Sequence, residues 1–595
     1  MRSLFTLILA ALSLISAQSA ARAQSQRTLS GTITTGGNEA VAGATITVRS
    51  SAGELTATSD GEGNFKLIVP AEALVVKIAG KNIVTLERRI DARESAGPLR
   101  FEVSYIIPAV HDSLVISASQ LDPMIDRRNE AVYRDTLFSR DDQVFHTLDA
   151  GINAGQHEGG GKSLEIRRFG FNLDHGGVSG GLKVLVDNVQ QNQGTQGHGQ
   201  GYLGQLKSLT PELVQDVNIL NGPFSAEYGD FSGLGVVHIR LKETLPDEIT
   251  SRFQFGSFAA TRAFLAYSPD LDDANALVAY ERSRTDGPFK SPLNYKRDNV
   301  TGNYIRRLDD NRRLGFKFNA GRNDFFSSGQ IPLDEVFEGR LDRFGFIDPE
   351  NGGRARTGTL GAYYRHELAD GSVFKMDGFL GRSMFDLWSN FTFFLTDEMF
   401  GDEIQQHDSR LQEGVNMQYL KPFAIAGRHA TLNAGANYHD NQINVGLFPS
   451  IGRAPGRKSI SPENLANPDV LLTSARARVT NLASYVQQGV DLFHGRLRLE
   501  GGIRYDYFHF NVNDLIDPTA SGEQGGSRVQ PKFNLSLTPS ERLPMTFYFN
   551  YGRGISSQDA RGVAQRPEGP KISTTDFYQV GTSHNFNRLS LSADL

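Results

Sequence analysis

Apolar and polar side chains alternate with a period of two residues along much of the chain from Glu248 onward. Between residues 496 and 507, one set of alternating positions is apolar or aromatic: Leu497, Leu499, Ile503, Tyr505 and Tyr507. The positions between them carry charged side chains: Arg496, Arg498, Glu500, Arg504 and Asp506. Because neighbouring residues of a strand point to opposite faces, this pattern predicts β-strands with one apolar and one polar face.

The connections between these predicted strands alternate in length. Short connections lie near residues 309–312, 369–372, 424–429, 494–496, 539–543 and 585–588. Long connections lie near residues 286–298, 323–354, 388–404, 445–477, 512–528 and 554–573. A soluble β-sandwich is the alternative, but this strict alternation is typical of an outer-membrane barrel, which has short periplasmic turns and long external loops.

The first part of this region tests the barrel hypothesis. A single strand over residues 250–268 would place the long connections on the periplasmic side. A break near Ser257 to Thr261 restores the order, so we expect a hairpin of Arg252–Gly256 and Arg262–Tyr267, followed by a periplasmic turn at 269–274. This assignment gives about fifteen predicted strands, although single-chain bacterial barrels have even numbers.

The composition agrees with a barrel and excludes other classes. The 595 residues include 62 Gly, 38 Phe and 18 Tyr. Beyond the N-terminal segment, no apolar run reaches the length of about 18 residues that a membrane-spanning helix needs. The absence of Cys excludes disulfides and cysteine-based catalytic or zinc sites. The formal net charge of -6 gives no indication of a nucleic-acid partner.

The N-terminal residues have the features of a secretory signal peptide. Arg2 supplies a positive charge, Leu4 to Ile15 is apolar, and Ala21-Arg22-Ala23 fits the small-x-small rule for cleavage. We therefore expect a signal peptide over residues 1–23. The mature chain would start at Gln24.

Residues from Arg27 to about Ile107 predict a small all-β unit, because short alternating runs are separated by turn residues. The unit resembles a carboxypeptidase regulatory-like domain, which is an immunoglobulin-like sandwich. The matching positions are Gly31, Val41, Gly43, Ala44, Asp60, Gly63, Phe65, Pro70 and Gly80. This resemblance implies a fold and no catalysis.

The stretch Val217 to Val237 combines an apolar strand end, an Asn-Gly-Pro turn and a Gly-rich segment before another apolar run. It resembles the end of the plug domain of TonB-dependent outer-membrane receptors. Nine positions match in order: Gly222, Pro223, Ser225, Ala226, Tyr228, Gly229, Gly233, Gly235 and Val236. Asn221 departs from the pattern, since the family usually has Arg there. The alternative is an ordinary Gly-rich loop between two strands.

Two further segments resemble plug motifs of the same family. Residues 166–170 resemble Ile-Arg-Gly-Phe-Gly through Arg167, Phe169 and Gly170. Residues 184–189 resemble Val-Leu-Val-Asp-Gly-Val; Asp187 matches and Asn188 replaces Gly, which an αL turn tolerates. In the family, a plug Arg often pairs with barrel carboxylates. The resemblance makes Arg167 its counterpart, and a solvated strand charge is the alternative.

A short β-prone segment precedes the plug: Asp112, Ser113, Leu114, Val115, Ile116, Ser117 and Ala118. It resembles the TonB box, typically Glu-Thr-Val-Val-Val-Thr-Ala. Such a segment can add as an extra strand to the sheet edge of a partner. The resemblance therefore implies TonB as a partner.

Three other motifs in the plug do not predict an enzyme or a metal site. Residues 177–181 fit a Gly-x-Ser-x-Gly elbow, but the strand–turn–helix context of that elbow is missing. Residues 199–204 fit a dinucleotide fingerprint, but no strand leads into them directly. His157, His175 and His198 are irregularly spaced, so solvated loop histidines are the better interpretation. We expect no catalytic residue, no metal and no cofactor.

In the family, the loop after the Val-Asp-Gly turn rises toward the ligand chamber. The resemblance therefore implies a ligand-facing loop from residue 193 to residue 202. Its candidate residues are Gln193, Gln196, His198 and Tyr202.

The expected fold class is mainly β. We expect an N-terminal sandwich at residues 24–107, a linker with the TonB box at 108–120, an α+β plug at 121–247 and a partial antiparallel transmembrane barrel at 248–595. TonB-dependent barrels have about 22 strands. Since the sequence stops inside the strand-like run Leu589–Leu595, we expect it to be incomplete by roughly seven strands.

The resemblance implies a transporter in the bacterial outer membrane, with the N-terminal domain in the periplasm. It would import a scarce ligand, such as a siderophore, glycan or peptide, using the proton gradient through TonB. Outer-membrane lipid would surround the barrel, and a surface lipoprotein is a further candidate partner. The alternatives are an adhesin or structural barrel without active transport and, more weakly, a secreted hydrolase.

Overall fold

The computed structural model divides the chain into two compact units, the first of which comprises residues up to Ala109 together with Ala369–Gly371. The structure describes residues 26–34, 40–41, 43–51, 53–80, 83–91, 98–103, 125–129, 152–156, 162–166, 181–197, 206, 208–271, 273–455, 473–540, 545–586 and 589–595.

The first unit consists of two sheets that enclose one apolar core. One sheet has the order β4-β1-β7 and the other the order β3-β2-β5-β6. The strands are β1 (Gln26–Thr34), β2 (Thr45–Ser50), β3 (Gly53–Thr58), β4 (Asn64–Pro70), β5 (Leu74–Gly80), β6 (Ile83–Ile90) and β7 (Leu99–Glu102). Leu29, Ile46, Phe65, Val76 and Phe101 are among the buried core residues. The described part of this unit is therefore a β-sandwich, and its regulatory-like subclass stays a prediction.

The plug region contains a five-stranded sheet with the order β12-β11-β14-β13-β8 and a separate hairpin of β9 and β10. The strands are β8 (Ile125–Asn129), β9 (Ile152–Gln156), β10 (Lys162–Ile166), β11 (Leu182–Val186), β12 (Val189–Gln190), β13 (Val214–Asn221) and β14 (Gly235–Leu241). Strands β11 and β14 pair in parallel, whereas β13 and β14 are antiparallel. The predicted strand end at Val217–Leu220 and the predicted apolar run at Val236–Val237 are both confirmed.

The rest of the chain forms one antiparallel sheet of seventeen described strands in sequential order, which we call the large sheet. Its first strands are β15 (Ile249–Gly256), β16 (Ala260–Tyr267), β17 (Asp270–Leu271), β18 (Ala274–Thr285), β19 (Tyr295–Arg307), β20 (Arg312–Phe326), β21 (Gly352–Glu367) and β22 (Val373–Ser389). They continue as β23 (Ile404–Ile425), β24 (Arg428–Ile451), β25 (Ala454–Pro455), β26 (Thr473–Leu492), β27 (Leu497–Asp514), β28 (Gly522–Leu537), β29 (Met545–Ser557), β30 (Ile572–Phe586) and β31 (Leu589–Asp594). The hairpin predicted from the break near Ser257 is confirmed as β15 and β16.

The connections of the large sheet alternate between short turns and long loops, as predicted. Residues 308–311, 368–372, 426–427 and 493–496 are turns, whereas 327–351, 390–403 and 558–571 are long loops. Two of the long loops contain short helices, α1 (Leu333–Phe337) and α2 (Ala560–Gln565). These long loops therefore lie at one end of the sheet and these short turns at the other, although the short turn between β15 and β16 also lies at the end with the long loops. We call these the loop end and the turn end.

The two faces of the large sheet have the polarity expected of a barrel wall. On β27, Ile503, Tyr505 and Tyr507 are 48%, 45% and 40% exposed, whereas Arg504 and Asp506 are only 3% and 0% exposed. A soluble protein buries its apolar face, because apolar burial drives folding in water. Here the apolar face points outward, as a lipid environment requires, and the charged face points toward the plug.

Across the described ranges, none of the helices is long and apolar enough to cross a membrane.

The two ends of the large sheet predict different accessibility on intact cells. Protease sites inserted in 323–354 or 445–477 should be cut on whole cells, since the first range contains a loop of the loop end and the second is predicted from the sequence to lie on the same side. Sites inserted in 369–372 or 494–496 should be cut only after the outer membrane is opened. Immunoblots of protease-treated whole and permeabilised cells measure this, and the reverse pattern would overturn the topology.

Candidate functional site

The segment between β13 and β14 carries the Gly-rich motif and lies against the inner face of the large sheet. The Lys532 ammonium group donates to the Pro223 carbonyl oxygen at 2.6 Å, and the Asn534 amide donates to the Phe224 carbonyl oxygen at 3.1 Å. Both donors are buried. Side chains of β28 therefore donate hydrogen bonds to backbone carbonyl oxygens of a plug loop that has no sheet partner of its own.

Arg504 of β27 joins the same loop to the inner face of the large sheet, which we call the wall. Its guanidinium group donates to the Glu227 carbonyl oxygen at 2.8 Å and to both carboxylate oxygens of Asp506 at 2.6 and 3.0 Å. Gly229 faces this guanidinium group so closely that a Cβ at residue 229 would overlap it. The motif glycine is thus explained by the close approach of Arg504, since its φ is not positive.

Two glycines of β29 allow the plug backbone to contact the sheet directly. A Cβ at Gly552 would overlap the carbonyl oxygen of Pro223, and a Cβ at Gly554 would crowd the Cα of Gly233. Gly235 has a φ of 153°, and a Cβ there would overlap the Leu220 carbonyl oxygen. None of these positions has room for a side chain: Gly552 and Gly554 are confined by the plug, whereas Gly235 is confined within the plug itself.

A second contact is a buried ion cluster near the first strands of the sheet. Glu212 of the plug accepts two hydrogen bonds from Arg262, both at 2.7 Å. Arg262 and Arg297 also bind Glu281, at 2.6 and 2.5 Å. Thr210 of the plug donates to the same Glu281 at 2.8 Å. Each carboxylate is therefore paired, which compensates the cost of burying charge.

A third contact is made by the β11–β12 hairpin. Its two turn residues, Asp187 and Asn188, have φ values of 46° and 70°, so Asn188 does adopt the left-handed conformation that its position requires. Asp187 accepts from the Leu241 amide at 2.9 Å and pairs with Lys317 of β20 at 2.8 Å. The Asn188 amide donates to Asp377 of β22 at 3.3 Å.

The plug loop that follows this hairpin reaches the loop end of the large sheet. The Thr195 hydroxyl accepts from the Ala560 amide at 2.9 Å, and the Gln196 carbonyl oxygen accepts from Arg561 at 2.8 Å. Ala560 and Arg561 both lie in helix α2. The guanidinium group of Arg410 also donates to the Thr195 carbonyl oxygen at 2.5 Å. Gln193 and Gln196 are buried and hydrogen-bonded to each other at 3.0 Å.

Asp230 forms the last of these contacts. Its carboxylate accepts from the Ser557 amide at 2.6 Å and from the Ser557 hydroxyl at 2.7 Å. Burial raises the pKa of Asp230 to about 6, although the Ser557 hydrogen bonds act in the opposite direction. Burial also lowers the pKa of the neighbouring Lys183 to about 8, and its ammonium group donates to the Asp230 carbonyl oxygen at 3.1 Å.

A cavity of about 80 Å³ remains between the plug and the wall. Its charged lining residues are Lys183, Glu227, Lys375, Asp377 and Arg504. A small space with this lining suits water or an ion and is too small for a drug-sized ligand.

Several predicted site residues lie outside the described residues: Asp112 to Ala118 of the TonB box, Arg167, Phe169, Gly170, His198 and Tyr202. Their roles stay predictions. Gln193 and Gln196 lie at the loop end, and their role in facing a ligand also stays a prediction. Within the described residues, no group of three or more His, Asp or Glu side chains could hold a metal ion.

Sequence reasoning missed the wall residues that bind the plug, chiefly Glu281, Lys317, Arg410, Arg504 and Lys532. The available signal was charge on the polar positions of alternating strands, such as Arg504 and Asp506 two residues apart. That pattern identifies an inward-facing charge but does not identify its partner in the plug, which is remote in sequence.

Comparisons with known proteins agree with this geometry. A family model described as "TonB dependent receptor-like, beta-barrel" matches residues 288–595, and "TonB-dependent Receptor Plug Domain" matches residues 134–236. The unliganded ferric citrate transporter FecA has a TM-score of 0.64 at 13% identity, covering 79% of this chain and 68% of that chain. The siderophore receptor PiuA from Acinetobacter baumannii has a TM-score of 0.63 at 14% identity, covering 82% and 75%. At such identities the structures establish a common fold.

A side chain at residue 552 should push the plug away from the wall. Gly552→Ala places a Cβ against the Pro223 carbonyl oxygen, and such overpacking costs about 1–3 kcal/mol. We expect cells with this variant to become several-fold more sensitive to vancomycin, which a seated plug excludes. Gly501→Ala is the matched control, because a Cβ there meets nothing within 4 Å. Equal sensitivity of the two variants would contradict the predicted role of Gly552.

The ion cluster predicts a large loss of stability when one partner is removed. Glu212→Gln would leave Arg262 with a buried charge that is less well paired, and breaking such a pair costs about 3–5 kcal/mol. Calorimetry of the purified protein in detergent should show a lower unfolding temperature for the plug. Glu335→Gln removes an exposed partner of Arg340 and should leave that temperature unchanged. If Glu212→Gln unfolds its plug at the same temperature as the unsubstituted protein, the cluster does not hold the plug.

Proposed function

Since this chain belongs to the TonB-dependent receptors of the bacterial outer membrane, we propose that TonB pulls on its plug to import a scarce ligand. The energy would come from the proton-motive force of the inner membrane. The ligand would be a siderophore, a glycan, a peptide or a compound of similar scarcity. We infer no catalytic residue, because transport through a displaced plug needs no covalent chemistry.

The observation that best supports this proposal is the chemistry of the plug interface. The plug has its own apolar core, which includes Val184, Val217, Ile219, Val237 and Ile239. Its contacts with the wall are mostly hydrogen bonds and ion pairs, and water can replace these contacts. A folded plug can therefore leave its seat without exposing most of its apolar core. Leu213 and Phe224 are exceptions, because they pack on apolar residues of the wall.

The plug also links the two ends of the large sheet. Asp187 and Asn188 contact β20 and β22 nearer the turn end, whereas Thr195, Gln196 and Asp230 contact residues 557–561 at the loop end. A ligand that changes the position of helix α2 would change contacts with the plug directly. In this proposal, that connection reports ligand occupancy to the periplasm.

We assign the remaining parts by the same reasoning. Residues 1–23 would be a signal peptide, the sandwich at 24–107 would lie in the periplasm, and residues 112–118 would bind TonB by strand addition. The outward side chains Ile503, Tyr505 and Tyr507 would contact outer-membrane lipid. A surface lipoprotein remains a candidate partner at the external side. The similar structures named above are a ferric citrate transporter and a siderophore receptor.

A proline in the proposed TonB box should separate transport from ligand binding. Proline lacks an N–H group and resists a central strand position, so Leu114→Pro or Ile116→Pro should remove a hydrogen bond to TonB. We expect energy-dependent uptake to fall to background while surface display and ligand binding persist. Binding and uptake are to be measured on the same cells.

Val115→Ala is the control, because strand addition relies on backbone groups and this change retains them. It should preserve most of the uptake. An adhesin or structural barrel would be unaffected by either proline, because it acts at the external side of the outer membrane and does not need TonB. Normal uptake in both proline variants would therefore exclude the TonB-coupled proposal.

A further inference from the structure

The loop between β22 and β23, residues 390–403, presents large apolar side chains to solvent at the loop end. Within ten residues it has five such side chains, exposed by 36%, 48%, 79%, 77% and 56%: Phe391, Phe394, Leu395, Met399 and Phe400. Clustered exposed apolar groups mark interaction surfaces on folded proteins.

The conformation of this loop is built from its own polar residues. The Asp402 carboxylate accepts from the Thr392 hydroxyl at 2.7 Å, from the Thr396 amide at 3.0 Å and from the Asp397 amide at 2.8 Å. The Asp397 carboxylate in turn accepts from the amides of residues 399 and 400 at 3.0 and 2.9 Å. These bonds hold the backbone in a form that turns the apolar side chains outward.

The neighbouring loop, residues 327–351, adds a second apolar display. Leu333 and Phe337 lie four residues apart on helix α1, hence on one face, and are 69% and 83% exposed. Phe344 of the same loop is exposed as well. Among the described residues, the helix therefore has an apolar face that solvent reaches.

Arg453 ties the two loops together. Its backbone amide donates to Glu403 at 3.1 Å, and its guanidinium group donates to the carbonyl oxygens of Glu350 and Asn351 at 2.6 and 2.7 Å. The guanidinium group also stacks on the ring of Phe326 at 3.7 Å. The Asn390 side-chain amide also donates a hydrogen bond to the Asp348 carboxylate at 3.0 Å. We call the joined loops, 327–351 and 390–403, the apolar loop surface.

The charge of the apolar loop surface selects among its possible occupants. Residues 390–403 contain Asp397, Glu398 and Asp402, together with the buried Glu403, and no Lys or Arg. Residues 327–351 contain six carboxylates and only Arg340 and Arg343 as basic residues. The phosphates of a lipid headgroup would be repelled by this acidic surface, and so would the same surface on a second copy of the chain.

We propose that the apolar loop surface docks a cationic, amphipathic polypeptide. Its apolar side chains would cover Leu395, Met399 and Phe400, and its basic residues would lie against the surrounding carboxylates. Such pairing adds affinity through apolar burial and speeds encounter through charge. This docking function is separate from the import proposed above, because it requires neither TonB nor a displaced plug.

The absence of Cys allows a direct test. In Leu395→Cys, an environment-sensitive dye can be attached at a single site of the purified protein in phosphatidylcholine nanodiscs. The probe is a short helical peptide of leucine and lysine with the lysines on one face. We expect its binding to blue-shift the dye, and added salt to weaken that binding. A dye at Glu568→Cys, exposed in loop 558–571, is the control and should respond much less.

Two comparisons isolate the apolar and the charged contributions. Replacing Leu333, Phe337 and Phe400 by Ser in the labelled protein should weaken peptide binding by at least about tenfold. A peptide with glutamate in place of lysine should also bind at least about tenfold more weakly. Lipid partitioning of the lysine peptide is the same for all protein variants, so it cannot produce the difference between those variants.

Other outcomes would overturn the proposal. Equal binding of the lysine and glutamate peptides would show that charge does not select the occupant. A dye that is blue-shifted in nanodiscs before peptide is added, but not in amphipol, would indicate lipid as the occupant. A blue shift that grows with protein concentration alone would indicate a second copy. Since uptake is measured separately with the proline variants, failure here would not affect the transport proposal.

Discussion

The structure depends on the pairing of inward-facing cations of the large sheet with carbonyl oxygens and carboxylates. Arg504 and Lys532 cannot face lipid at an acceptable cost, so the strand alternation that exposes Tyr505 and Phe533 must turn them inward. Inside, the cations require acceptors, and the plug provides them as the carbonyl oxygens of Pro223 and Glu227. The membrane environment of the outer face therefore determines how the inner face holds the plug.

This arrangement separates the stability of the plug from the strength of its attachment. The plug sheet is held by β11, β13 and β14 around an apolar core of its own. Its attachment uses polar groups and glycine-to-backbone contacts, as at Gly552 and Pro223. Polar contacts can be exchanged for water one after another, whereas apolar core contacts are lost cooperatively. The attachment of the plug and its internal core therefore rest on different kinds of contact.

The loop end combines two different surfaces. Toward the interior, helix α2 bonds to Thr195 and Gln196, so this loop is part of the plug interface. Toward the exterior, loops 327–351 and 390–403 present apolar side chains within an acidic surrounding. Both surfaces depend on specific side chains such as Asp402 and Arg453, which fix the loop backbones where the strand ladder no longer does.

The sequence by itself determined the strands, their faces and the order of short and long connections. Period-two alternation is a local property, and so is the turn chemistry at Asp187–Asn188 and Gly222–Pro223, which matched family motifs. The tertiary structure decided which wall residue meets which plug residue. Glu212 pairs with Arg262 and Gly229 faces Arg504 across large sequence separations, and several positions on each strand share the same polarity. Register and the seating of the plug select one partner among these positions, and the observed seating pairs Glu212 with Arg262.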